Sequence, residues 1–285
     1  MRWIRLGLVA AFLLAAAASA LAGGLARGGG EPASAQPVPP SAPPELSATA
    51  EIRRSFLEPG TVAIAVTNHG PAPVRVTGVE LRSDSFAPLG TQAFDATVPP
   101  SVNPRDLLTD YGAAQCPDGV DSTAAPSSVL LDVETEDGTA HQVLAELPHP
   151  NGVLDRLLKE ACAAEFLAQN AEVALGELVR AADGTLDAAL TVEAVGDAAV
   201  EATEVRGSVL FEITASELPG RAVGLHFDAH RCEGHAVGDA KQPFAFTVWI
   251  AVDGGEPVPG PVPVGEAQRE ALYAMLDERC GHTED

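Results

Sequence analysis

Val133-Glu134-Thr135-Glu136-Asp137-Gly138 reads as a strand that runs into a turn. Apolar and polar residues alternate, and Asp-Gly then supplies the dipeptide that tight hairpins favour. Trp249-Ile250-Ala251-Val252-Asp253-Gly254 ends in the same way. The interval from Asp137 to Asp253 equals that from Cys116 to Cys232. Each stretch lies between two cysteines, Cys116 and Cys162 in one case, Cys232 and Cys280 in the other, at nearly equal spacing. Each cysteine pair brackets β-rich sequence, a Pro-rich approach and a short amphipathic helix ending in the second cysteine. The pattern predicts one structural unit used twice.

Working outward, Val62 to Gly70 and Val74 to Leu81 alternate with period two, as do Leu186 to Glu193 and Ala199 to Val205. Short strands separated by Gly, Pro and Asp, with no long helices between them, predict antiparallel sandwiches rather than a parallel α/β sheet. The expected fold is mainly β: two tandem immunoglobulin-like β-sandwich domains, 49–165 and 166–285, each closed by a C-terminal helix and a disulfide. In the first helix Val153, Leu154, Leu157, Leu158, Ala161 and Cys162 share a face. Asp155, Arg156, Lys159 and Glu160 take the other, and Asn151 is the expected N-cap. In the second, Leu272, Met275, Leu276 and Cys280 form the apolar stripe, and Glu266, Glu270, Asp277 and Glu278 face water. The boundary between units falls near 163–171, where Phe166 and Leu167 are candidates to pack between them.

The N-terminus has the parts of an export signal. Arg2 and Arg5 precede an uncharged run from Leu6 to Ala26, and small residues follow at cleavage-like spacing, as in Ala18-Ser19-Ala20. No cysteine lies nearby, which excludes an acylated lipoprotein anchor. A helix over this run, at about 1.5 Å per residue, just spans a bilayer core of about 30 Å. Residues 1–26 are therefore either a cleaved signal peptide or a membrane anchor, with the remainder on the extracellular side in both cases. Residues 27–48 form a Pro/Gly/Ala-rich spacer. Export accounts for the cysteines, because disulfides persist in oxidising compartments. Four cysteines allow three connectivities, and the repetition favours Cys116–Cys162 with Cys232–Cys280. Closing loops of this length stabilises the fold by about 4 kcal/mol each in the chain-entropy argument.

A formal net charge of −23 argues against binding to nucleic acid or an anionic lipid surface, both of which need a basic face. The expected contact with a membrane is confined to the N-terminal segment. The sequence contains no Gly-x-Ser-x-Gly elbow, phosphate-binding loop, His-Glu-x-x-His helix or Cys-x-x-Cys pair. Asp132, Glu134, Glu136 and Asp137 lack calcium-loop spacing. One cluster has chemistry to offer. His226-Phe227-Asp228-Ala229-His230-Arg231-Cys232-Glu233-Gly234-His235 holds three of the seven histidines. A strand over 225–231 would point His226, Asp228 and His230 to one face, and the Cys232–Cys280 bridge would bring His282 near. His226, His230, His235 and His282 are thus candidate ligands for Zn or Cu. Against this, the first unit has Asp110 where the second has His226, and Ala114 where it has His230. A role shared by both cysteine pairs works without metal, and the leading expectation is no cofactor.

Arg231-Cys232-Glu233-Gly234-His235-Ala236, followed by Lys241-Gln242-Pro243-Phe244 and a Val/Trp-rich strand, resembles a pattern in uncharacterised exported or membrane-anchored proteins of high-GC Gram-positive bacteria. The resemblance covers most of the chain through loose motifs, and implies tandem β-rich units but no activity. The expected function is a non-enzymatic extracellular module that binds a protein or cell-envelope component. A metal-binding exported protein is the alternative, and an enzyme of unrecognised type comes third.

Overall fold

Alternation of buried and exposed side chains builds the strands. In the computed structural model the described residues are 42–53, 58–148, 152–232, 238 and 240–281. Residues 1–26, most of the spacer and the expected N-cap Asn151 lie outside them. The described residues belong to one compact unit that begins at Pro40.

The first half contains β1 (Leu46–Glu51), β2 (Thr61–Asn68), β3 (Val74–Arg82), β4 (Gln92–Val98), β5 (Arg105–Asp110), β6 (Ser127–Thr135), β7 (Ala140–Leu147) and α1 (Val153–Asn170). Its sheets are β1-β2-β5 and β4-β3-β6-β7. The second half contains β8 (Ala171–Leu175), the short β9 (Val179–Arg180), β10 (Leu186–Ala194), β11 (Val200–Arg206), β12 (Phe211–Ser216), β13 (Ala222–Ala229), β14 (Thr247–Val252), β15 (Val258–Pro261) and α2 (Glu266–Cys280). Its sheets are β12-β13-β10-β8, with β9 also on β10, and β11-β14-β15. The fold is mainly β, with 46% of the described residues in strands against 16% in helix. All pairings between these strands are antiparallel, which excludes a parallel α/β sheet.

Both predicted hairpins form. In β6, Val129, Leu131 and Val133 point into the core while Leu130, Asp132 and Glu134 are less buried. The turn passes through Gly138 at positive φ into β7. After β14, Asp253 and Gly254 both take positive φ, 52° and 72°, the conformation that a tight hairpin turn imposes and that Asp-Gly tolerates best. β1 starts at Leu46, inside the stretch assigned to the spacer, because Ala48 is needed in the first core, where it is 3% exposed.

Two hydrophobic cores result, one per half. The first contains Ile64, Val76, Leu131, Leu154 and Leu158. The second contains Leu190, Leu225, Phe227, Phe246 and Met275. α1 serves both. The sequence predicts a helix ending at Cys162, but the helix continues to Asn170. Residues 163–170 carry no Gly or Pro and are rich in Ala, Glu, Gln and Leu, which favour helix. Val153, Leu154, Leu157, Leu158 and Cys162 lie in the first core, whereas Ala163 and Leu167 lie in the second. Leu167 packs so closely on β15 that a Cβ at Gly260 would fall 2.5 Å from its Cδ1. The chain then passes from α1 into β8 with no linker. By contrast, α2 does end at Cys280, where Gly281 adopts the left-handed conformation common after helices.

The disulfides are Cys116–Cys162 and Cys232–Cys280, with Cα atoms 5.8 and 5.0 Å apart. Crossed pairings are thereby excluded.

Candidate functional site

The outer face of sheet β12-β13-β10-β8 carries a groove of about 630 Å³, and strand register explains its shape. Ser216 lies opposite Gly224, which lies opposite Ala189. Gly176 continues this row just after β8, donating its N–H to the Ala189 carbonyl at 2.8 Å. The row contains no side chain longer than serine, so it forms a low floor. The parallel row is taller: Thr214 opposite His226, His226 opposite Asp187, Asp187 opposite Val179. Glycine at 224 lets Ser216 lie over the strand, since a Cβ there would come within 2.6 Å of Ser216 Oγ and turn the hydroxyl aside.

The polar groups of the groove are sparsely used. His226 Nδ1 bonds Asp187 Oδ1 at 2.8 Å, which fixes the ring and leaves its second nitrogen with no partner among the described residues. Ser216 Oγ donates weakly to the Gly224 carbonyl at 3.3 Å. The Thr214 hydroxyl and the Glu177 carboxylate make no side-chain bond among the described residues.

Beside the groove, α2 is clamped to the sheet. Arg279 donates to both carboxylate oxygens of Asp228, at 2.9 and 2.7 Å, and to the Asp183 carbonyl at 3.4 Å. Arg180 pairs with Glu278. The Arg279 guanidinium holds the Asp228 carboxyl below the usual carboxylate range, against the opposing effect of partial burial. Asp183 is held down by the hydroxyl and N–H of Thr185. At the other end of α2, Gln268 Nε2 donates to the carbonyls of Leu175 and Gly176, at 2.7 and 2.9 Å. The helix thus fixes the end of β8 from which Gly176 and Glu177 enter the groove.

The predicted ligand residues do not assemble among the described residues. β13 ends at Ala229, so the expected strand over 225–231 is shorter, and His230 lies beyond it. His226 and Asp228 share a face as expected, but the first is bonded to Asp187 and the second to Arg279. The nearest carboxylate to His230 among the described residues is Glu212, at 3.9 Å. His235 and His282 lie outside the described residues. Among the described residues no three His, Cys, Asp or Glu side chains gather as a metal set. Cys116, Cys162, Cys232 and Cys280 are all consumed by the disulfides.

Sequence reasoning passed over Asp187, Ala189, Thr214, Ser216 and Gly224. One signal was present: Gly224 interrupts a run that otherwise reads as strand, and such a glycine marks a close approach. Two disulfides are compatible with an extracellular protein. No helix among the described residues is long and apolar enough to cross a membrane. No protein-family model matches the chain, and comparison with curated proteins gives no match.

Proposed function

We propose that this chain is an exported, non-enzymatic binding module of the bacterial cell envelope. The carrying observation is the groove on the β12-β13-β10-β8 face, an open recess whose polar groups are largely unengaged. Recesses of this size are typical ligand sites. The N-terminal segment exports the chain and, in the anchored form, ties it to the membrane, with the spacer holding the folded part away. The net charge of −23 supports a partner other than nucleic acid or anionic lipid.

The two halves are, on this reading, immunoglobulin-like domains derived from one unit. The second half's sheets follow the constant-type arrangement of four strands on three, and the first half differs in the sheet that holds its fourth strand. The Arg231 to Phe244 pattern supports membership in the exported proteins of high-GC Gram-positive bacteria.

Photo-crosslinking on intact cells tests the reading. A photoreactive residue at Val179, which lines the groove and is exposed, should trap a specific protein or envelope component, and one at Leu144, exposed in the first half, should not. Absence of any specific adduct from the Val179 position would refute the module.

A further inference from the structure

Resting on the binding-module reading, we infer that the groove takes a short extended peptide with small side chains and one cationic group. Its span comes first. From β12 to β8 the sheet covers three strand spacings of about 4.8 Å, close to the length of four extended residues at about 3.3 Å each. The floor of Ser216, Gly224, Ala189 and Gly176 lets a peptide backbone come near the sheet. Bulky side chains pointing down would meet that floor, so alanine or glycine suits the downward positions. Thr214 and the free nitrogen of His226 on the taller side, and Ser216 on the floor, offer donors and acceptors to the peptide groups.

Charge selects the remaining group. Glu177 has no ion-pair partner among the described residues. Asp187 meets the groove as well, bonded to the His226 ring. The neighbouring arginines are already engaged, Arg180 by Glu278 and Arg279 by Asp228. A carboxylate or phosphate ligand would therefore face two carboxylates, with no Arg or Lys among the described residues that line the groove. A basic side chain or free amine is drawn to the Glu177 end. A neutral sugar lacks its usual stacking partner, as no Phe, Tyr or Trp among the described residues lines the groove.

The test is calorimetric titration of the full-length protein with three capped tetrapeptides, Ac-Ala-Ala-Lys-Ala-amide and its Gln and Glu counterparts. The lysine peptide should bind, the glutamine peptide about fivefold more weakly and the glutamate peptide more weakly still, as expected of one partly exposed ion pair. Glu177→Gln should erase the difference between lysine and glutamine peptides. Ala189→Phe, which fills the floor from the solvent side, should weaken the lysine peptide at least tenfold while the melting temperature stays the same. No binding of the lysine peptide, equal binding of all three peptides, or binding indifferent to Ala189→Phe would each overturn the assignment. If the Val179 probe still traps a cellular partner in the Ala189→Phe protein, the module stands and the groove ligand falls. If peptides bind but no partner is trapped on cells, the groove chemistry stands and the module falls.

Discussion

β4 and β12 hold the same place in the two halves once the short β9 is set aside, yet they lie in opposite sheets. β4 folds back on β3, whereas β12 crosses to pair with β13. The links that precede them differ. Nine residues, 83–91, connect β3 to β4, room for a broad turn within one sheet. The second link, Gly207 to Leu210, is short and carries the chain to the other sheet, with Val209 at the surface and Leu210 and Phe211 essentially buried. Only glycine fits at 207, since a Cβ would meet the Phe211 carbonyl oxygen at 2.1 Å. Gly220 bridges to Ala202 on β11, taking part of the edge that β4's counterpart would occupy. Because β12 crosses, Thr214 and Ser216 stand beside β13, and the groove exists. In the first half the edge of β5 is instead met by the Gln92 side chain, which bonds both the N–H and the carbonyl of Asp110. One strand's choice of sheet thus separates a half with a broad recessed face from one without that fourth strand.

The largest test of the contrast is chemical. Replacing either cysteine pair by alanine should cost about 4 kcal/mol in denaturant unfolding, from lost loop closure. The pairs should differ in access, because Cys162 is 2% exposed while Cys232 lies at the surface. Graded reduction followed by peptide mapping should open Cys232–Cys280 first. Earlier opening of Cys116–Cys162 would contradict the burial difference.

Next come the two ends of α1. Leu154→Ala and Leu167→Ala each empty a buried site and should cost about 3 kcal/mol. Hydrogen exchange should register the first in β2, β3 and β6, and the second in β10, β13 and β14. Identical patterns from both changes would mean that the two cores act as one. A smaller effect, about 2 kcal/mol, is expected of Gly207→Ala, since backbone must shift to admit the methyl. If the crossing depends on that turn, the same change should also lower peptide affinity at the groove; unaltered stability would dismiss it.

The smallest effect concerns pH. The folded-state pKa of Asp228 is lowered, chiefly by Arg279. Its contribution is therefore present above the unfolded carboxylate value and disappears as pH falls through the folded value. Asp228→Asn should cost about 0.5–1 kcal/mol at pH 7, because water screens a pair this exposed. Below both carboxyl values the two proteins should converge, and a gap that persisted there would assign the loss to packing rather than charge.

Much of the scaffold was legible in local sequence. Asp137-Gly138 and Asp253-Gly254 marked hairpins because few other dipeptides accept positive φ. The stripe Leu272, Met275, Leu276 and Cys280 marked α2 because its period matches the helix. The end of α1 was misread because Cys162 looked like a terminus by analogy with Cys280. Nothing local stops that helix, and Leu167 is held by Gly260, far away in the chain. The histidines drew attention as a run, but their run crosses the end of β13, so proximity in sequence did not become a common site.

Alternation, turn dipeptides and cysteine spacing by themselves determined the mainly β class, the two hairpins and the local disulfide pairing, since each depends on neighbours in the chain or on a strong chemical preference. Which sheet received the fourth strand, which core received each end of α1, and which small residues lined up as the groove floor were decided only by tertiary structure. Those outcomes turn on register and close contact between segments tens of residues apart, such as Ala189 against Gly224. No local pattern records such contacts, because the residues that make them are small and ordinary in their own strands.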